Sequence, residues 1–362
     1  MMITVGVIGC GYWGPKLIRN FHEISGAQLV WVCDVDQSKL DHIKALYPYV
    51  RTTRDYQEML ASDVEAVAIA TPVSTHCRLA MDCLQAGKHI LIEKPMTTSV
   101  KQAEAIVRLG EQIHRVVMVG HTFQYNPAVE AVRHVVAGGE LGEIYYINST
   151  RVNLGLFQTD VNVLWDLAPH DLSILCDVLD MEPVAVSARG GVFVQKDKGI
   201  HEIAHMALQF PKGIMAELRV SWLDPFKIRR MTIVGSRKML VYNDLAEDKV
   251  CIFDKGVDIP PYPDGVDQAR LTYRNGGVNV VPIQWVEPLR QECEDFIRCI
   301  HTGQRPRSDG HIGLKVVRIL EAAQISLLDS GLPVNVATLA HPNPQTLYRW
   351  QMEATYAAHS VT

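Results

Sequence analysis

The sequence predicts a two-domain α/β protein. A doubly wound parallel sheet comes first, followed by an α+β domain on a large, open, mostly antiparallel sheet. Three observations predict it. A G-x-G-x-x-G turn, Gly9 to Gly14, joins a buried strand pattern to a helical one. Apolar runs then alternate with helical patterns up to residue 121. Beyond that point, alternating strands follow one another with only short turns between them. Strands interleaved with helices make a parallel sheet covered on both faces, and consecutive strands make an antiparallel one. The chain is divided accordingly into 1–121, 122–340 and a tail, 341–362.

The first element is a strand over Ile3–Ile8, with Ile, Val, Val and Ile separated by small residues. The glycine turn and a helix carrying Leu17, Ile18 and Phe21 come next, then a strand over Leu29–Val32 that leads to Asp34. Short helices over Lys39–Tyr47 and Asp55–Ala61 precede a strand over Val64–Ala70. Helices over Thr75–Ala86 and Ser99–Glu111 bracket a strand over His89–Ile92, and Val116–Val119 closes the sheet as its fifth strand. In the second domain, Asn126–Ala137 and Val163–Leu179 read as helices, with a break or kink expected at Pro169. Strands are expected over 143–151, 184–194, 202–210, 213–221, 228–234 and 239–242, and a loop over 260–277. Helices over 288–300, 313–329 and 344–359 complete the reading.

The opening motif carries chemistry. The first glycine permits a tight turn, the second leaves bare backbone for a pyrophosphate, and the third lets helix and strand pack closely. The helix N-terminus then offers free N–H groups to phosphate. Asp34, twenty positions after Gly14, suits the two ribose hydroxyls. A carboxylate there repels a 2′-phosphate, so NAD is favoured over NADP. Tyr12 and Trp13 would present backbone N–H groups and rings to the cofactor, or simply pack. Ligands bind such sheets at the carboxyl ends of the strands. The polar residues to weigh are therefore Asp34, Thr71-Pro72, Glu93-Lys94 and His121.

The glycine turn, Glu93-Lys94-Pro95 and Trp165-Asp166-Leu167-Ala168-Pro169-His170-Asp171 together resemble the glucose–fructose oxidoreductase/inositol dehydrogenase (Gfo/Idh/MocA) family. The resemblance covers residues 3 to 335 and leans toward the sugar-nucleotide branch, through GYWGPKLIRNF and VNLGLFQTDVNVLWDLAPHD. It implies a Rossmann domain and reversible oxidation of a ring secondary alcohol, with hydride passing to nicotinamide. It also implies Lys94 and His170 as the catalytic pair, Asp166 beside them on substrate, and a cis Lys94–Pro95 bond. The residue types fit that chemistry. A base near neutrality must take the hydroxyl proton, and a cation must stabilise the developing oxyanion. Histidine starts near the required pKa. Asp166, four residues before His170, shares its helical face. We read His170 as the base and Lys94 as the polarising cation, with the roles open to exchange. Asp171 is expected to be structural.

The resemblance also places Thr71, Pro72 and His76 near the nicotinamide ribose. Glu93 and Gln124 complete the expected cofactor set. Arg151, Asn153 and Asn162, around the loop before the long helix, are candidates for sugar hydroxyls or a phosphate. Arg229-Arg230 could meet a diphosphate or be a solvated face.

Composition limits the classes of function. The 362 residues carry a net charge of −5, which gives no general attraction to nucleic acid. No apolar run reaches transmembrane length, and the first strand leaves no room for a signal peptide. Eight cysteines without a C-x-x-C pair argue for reduced thiols in the cytoplasm and against structural zinc. No metal is expected, because Lys94 would supply the only electrophile required. Apolar residues left for the second face of the antiparallel sheet (Val192, Val194, Ala207, Met215, Ile228, Ile233) predict a homo-oligomer, a tetramer or dimer.

Overall fold

The computed structural model describes residues 2–258 and 271–341. The chain forms two compact units, one of residues up to 126 together with 286–321, the other of 127–285 and 322 onward. The chain thus returns to the first unit after completing most of the second.

In the first unit the order is β1 (Ile3–Ile8), α1 (Gly14–Glu23), β2 (Ala27–Cys33), α2 (Gln37–Leu46), β3 (Arg51–Thr53) and α3 (Tyr56–Leu60). It continues with β4 (Ala66–Ile69), α4 (Val73–Gln85), β5 (His89–Glu93), α5 (Val100–Gln112) and β6 (Val117–Gly120). The sheet is wholly parallel, in the order β3-β2-β1-β4-β5-β6. It has six strands where the sequence pattern marks five. The extra one, β3, is a three-residue edge strand, too short to show a period of two. Val5 and Val7 of β1 are fully buried, as are Leu17, Ile18 and Phe21 of α1. The α1 face follows i, i+1, i+4 spacing, so one stripe meets the sheet. Asp36 and Asp55 cap α2 and α3, accepting from Ser38 N (3.0 Å) and Gln57 N (2.9 Å).

The second unit contains α6 (Pro127–Ala137), β7 (Ile144–Val152), α7 (Val163–Leu179), β8 (Ala185–Gly191), β9 (Ile203–Gln209) and β10 (Met215–Ser221). After these come β11 (Ile228–Gly235), β12 (Met239–Asn243), β13 (Val250–Asp258) and β14 (Thr272–Val280). The chain then enters α8 (Pro288–Thr302) of the first unit, where Cys293, Phe296 and Ile297 join the core around Phe21. Phe21 and Phe296 meet edge to face, with centroids 6.3 Å apart. Helix α9 (Gly310–Leu328) carries the chain on to β15 (Val334–Asn335).

The second sheet runs β14-β13-β12-β11-β7-β10-β9-β8-β15. All its pairings are antiparallel except β7 with β10. Residues 272–277, read as loop, belong to β14. That strand is almost entirely exposed and has Gly276 and Gly277 at its centre, so it lacks an apolar alternation. Pairing with β13 and the Arg274 Nε–Asp254 Oδ1 bond (2.9 Å) hold it. Residues 259–270 and the tail helix expected over 344–359 lie outside the described residues. Ile233, expected on the second face, is inside, because its register partner is the fully buried Ile147. Val192 and Val194 lie beyond the end of β8. Ala207 and Met215 are exposed on the open face. No helix among the described residues is long and apolar enough to cross a membrane.

Helix α7 runs unbroken through Pro169. Proline removes one ladder bond, but most of this helix is buried, and its packing outweighs that loss. Asn162 caps the start, its Oδ1 accepting from Leu164 N (3.1 Å) and Trp165 N (3.4 Å). Further along, Asp171 accepts from Arg151 Nε (2.5 Å) and Ser149 Oγ (2.8 Å) of β7. Both members of the Arg151–Asp171 pair are 4 % exposed. Removing one partner strands the other charge in the interior. Asp171→Ala is expected to lower unfolding free energy by about 3–5 kcal/mol; calorimetry showing an unchanged melting temperature would rule out this anchor.

Candidate active site

The first unit builds a dinucleotide cradle. Gly9 has φ of +99°, open to glycine at little strain. A Cβ on Gly14 would lie 2.0 Å from Gly9 O, so helix and turn approach as backbone only. A Cβ on Gly11 would meet nothing within 4 Å. Packing therefore does not demand glycine at position 11, whereas close approach of a ligand does. Asp34 is 9 % exposed. Its Oδ2 accepts from Cys10 N (2.5 Å) and its Oδ1 from Asp36 N (2.9 Å). A carboxylate has about four acceptor positions, so two remain for ribose hydroxyls. Lys39 Nζ is 4.0 Å from Asp34 Oδ1, and Arg54 Nε donates to Val35 O (3.0 Å). The residues fit a dinucleotide.

Next to the turn, Tyr12 is 73 % exposed. Trp13 packs on the core, and Lys16 Nζ lies 3.6 Å from the Tyr12 ring centroid and 4.3 Å from that of Trp13. Thr71 and Pro72 lead into α4, and Thr71 Oγ1 and Thr75 Oγ1 are 2.7 Å apart. Lys94 is half-buried at the end of β5, and the Lys94–Pro95 bond is cis, as the resemblance implies.

Three residues of the expected cofactor set lie beneath the surface. Glu93 is buried, and its Oε2 accepts from Lys94 N (3.2 Å). Burial pushes its carboxyl up to about 7, against the pull of Lys94 and Lys16. His76 is 1 % exposed, with both ring nitrogens on backbone carbonyls. Gln124, also 1 % exposed, sits on a short helical turn after β6 against which α8 packs. His76 lies on α4 itself, and α8 packs against the turn that carries Gln124.

In the second unit, Asp166 and His170 occupy successive turns of α7, both half-buried. Asp166 Oδ2 accepts from Trp222 Nε1 (2.9 Å). Trp222 is 1 % exposed and lies against Phe157, with centroids 5.7 Å apart. Nothing in the sequence points to Trp222 except its place at a strand end. Glu202, likewise unmarked, is fully buried and accepts from the N–H groups of Phe193, Val194 and Gln195. Two residues of the expected substrate set have partners within the protein. Arg151 is committed to Asp171, and Asn162 to capping α7 and to Gln324 (2.8 Å). Asn153 is half-buried, and its N–H donates to Ser221 O (3.1 Å). Arg229 pairs with Asp244 (3.1 Å), while Arg230 is exposed. No cluster of metal-ligating side chains occurs among the described residues.

Residues 3–121 match the oxidoreductase-family NAD-binding Rossmann domain, and residues 129–241 match the GFO/IDH/MocA C-terminal domain. The chain is 30% identical to UDP-N-acetylglucosamine 3-dehydrogenase of Acidithiobacillus ferrooxidans over 324 residues, 87% of this chain and 94% of that one.

The chain belongs to the Gfo/Idh/MocA oxidoreductases.

It binds NAD through the first unit. Among other relatives, inositol 2-dehydrogenase of Rubrobacter xylanophilus is 36% identical over 370 aligned positions, covering 98% of each chain. A solved structure of the Acidithiobacillus enzyme superposes with a TM-score of 0.76 at 25% identity, covering 90% of this chain and 98% of that one.

The glycines of this Gfo/Idh/MocA chain make separable predictions. Gly14→Ala is expected to destabilise the fold by about 1–3 kcal/mol through overpacking. Gly11→Val should leave the melting temperature unchanged and weaken NAD binding at least about tenfold, or about 1.4 kcal/mol. Calorimetry and titration of NADH fluorescence measure the two effects. Full affinity in Gly11→Val would mean that the pyrophosphate lies elsewhere.

Proposed function

We propose that this dehydrogenase oxidises a ring secondary alcohol of a nucleotide-linked amino sugar, at C3. The observation that carries the reading is the Asp166–His170 pair on α7, with Asp166 held by Trp222, in a chain that also places Lys94 at a strand end of its NAD domain. When bound, the nicotinamide supplies the hydride acceptor. The protein's own groups do the rest. His170 takes the hydroxyl proton, Asp166 orients substrate or imidazole, and the Lys94 ammonium stabilises the negative charge growing on the oxygen. One hydride and one proton leave the carbinol, and a ketone remains. A regulator that only sensed NAD(H) would have no use for all three side chains.

A second reading, a free cyclic polyol as substrate, is favoured by the identity to the Rubrobacter inositol 2-dehydrogenase. The loop candidate Asn153 and the exposed Arg230 remain available to a phosphorylated or hydroxylated substrate. Eight thiols, none in a disulfide, suit a cytoplasmic location. We also propose self-association through the open face of the second sheet, where Tyr146, Ala207, Met215 and Glu217 line a shallow hollow.

NADH formation at 340 nm, measured across UDP- and dTDP-sugars, free sugars and inositols, tests the substrate. The nucleotide sugars are expected to lead, and an inositol leading would overturn the first reading. Lys94→Ala and His170→Ala should each lower kcat by about 10²–10⁴-fold; wild-type rates in both would remove them from the chemistry. Light scattering at micromolar concentration should give a multiple of the chain mass, and a monomer would exclude the sheet-face association.

A further inference from the structure

We infer that His76 is a buried imidazolium that ties together the two strand ends beside Lys94, and is thereby a positioning residue for that lysine. The kinetic part of this inference rests on the reading of Lys94 given above; the charge state does not.

His76 lies in the first turns of α4 and is 1 % exposed. Its Nδ1 is 3.0 Å from Pro95 O, and its Nε2 is 2.9 Å from Thr71 O. Both partners are backbone carbonyls, which only accept. A neutral imidazole carries one N–H and one lone pair. It can satisfy one of these carbonyls, but it would turn its lone pair on the other at hydrogen-bond distance. Only the doubly protonated ring donates to both.

The neighbouring His121 is an internal contrast. It is equally buried, and neither of its ring nitrogens has a hydrogen-bond partner among the described residues. Burial and the Lys94 charge push it down to about 3. Two histidines at the same depth thus hold opposite charge states, and the acceptors facing them decide which. For His76, two charge-assisted bonds offset the desolvation of the cation. The charged groups on the elements it bridges are Glu93 on β5 with Lys94 directly after it, and Arg78 and Asp82 on α4; His89 on β5 is also titratable.

The positions of the two carbonyls give the clamp its role. Thr71 lies in the link from β4 to α4, and Pro95 directly follows Lys94. Thr71 is itself fixed through Thr75, whose hydroxyl also donates to Pro72 O (2.7 Å). The backbone on the far side of Lys94 is therefore held to the adjacent strand end by one ring. Losing either N–H bond frees Pro95 and, with it, the aim of the ammonium.

The test uses full-length protein with ¹⁵N-labelled histidine and bound NAD⁺. Nitrogen–proton correlations at about pH 8, where ordinary histidines are neutral, are expected to show one of the 14 histidines with both ring nitrogens protonated. That signal should vanish in His76→Gln. Should that variant fail to fold, Overhauser contacts from the ring N–H protons to Pro95 identify the residue in the wild-type protein. A neutral His76 at that pH overturns the inference, whether or not a substrate is known. On a turned-over substrate, His76→Gln should lower kcat about tenfold and leave the KM for NAD⁺ unchanged. Unchanged kcat beside a confirmed imidazolium would overturn the positioning role alone.

Discussion

Six parallel strands end on one edge of the first sheet, and the backbone groups released there must be satisfied without closing the edge to a dinucleotide. Much of the first unit follows from that constraint. Asp34 takes up the N–H of Cys10 in the glycine turn. Glu93 takes up the N–H of Lys94. His76 reaches the carbonyls of Thr71 and Pro95. Each uses a buried polar side chain where a helix or ladder bond is missing, which is how interiors account for their backbone. The glycines do the complementary work by removing side chains from the space that must stay open.

The second unit meets a related problem with a helix. One side of α7 presents Asp166 and His170, and its inner side sets Asp171 against Arg151 of β7. The residue next to His170 is thus locked by a buried charge pair. Trp222 holds Asp166 from the end of β10. Buried ion pairs contribute modestly to net stability but are strongly intolerant of losing one partner. Here the pair anchors the helix that carries Asp166 and His170.

Residues read as strands or helices from periodicity are largely so in the structure, because central strands and amphipathic helices must alternate or repeat to bury one face. Four strands escape this reading: β3 is three residues long, β14 is exposed on both sides, β15 has two residues, and β13 buries alternate residues only at its start, Val250 and Ile252. The glycine turn was legible because its requirements are local. The Arg151–Asp171 pair was not, because the two residues lie 20 positions apart and meet only in the fold. The depth of His76 and Gln124 was not legible either, since position in sequence carries no information about burial. Trp222 left no mark in the sequence, because its importance comes from one hydrogen bond across the fold.

The late return of the chain to its first unit has a consequence for synthesis. Leu17 and Phe21 of α1 share a core with Cys293, Phe296 and Ile297 of α8. A ribosome delivers the residues up to 126 with that apolar stripe uncovered and must translate most of the second unit before its cover emerges. The nascent sheet can pair its strands early, but its outer seam stays exposed to chaperones and to neighbouring chains until α8 leaves the exit tunnel. Folding of the nucleotide domain is therefore timed by α8, which follows most of the second unit, although its signature motif precedes both.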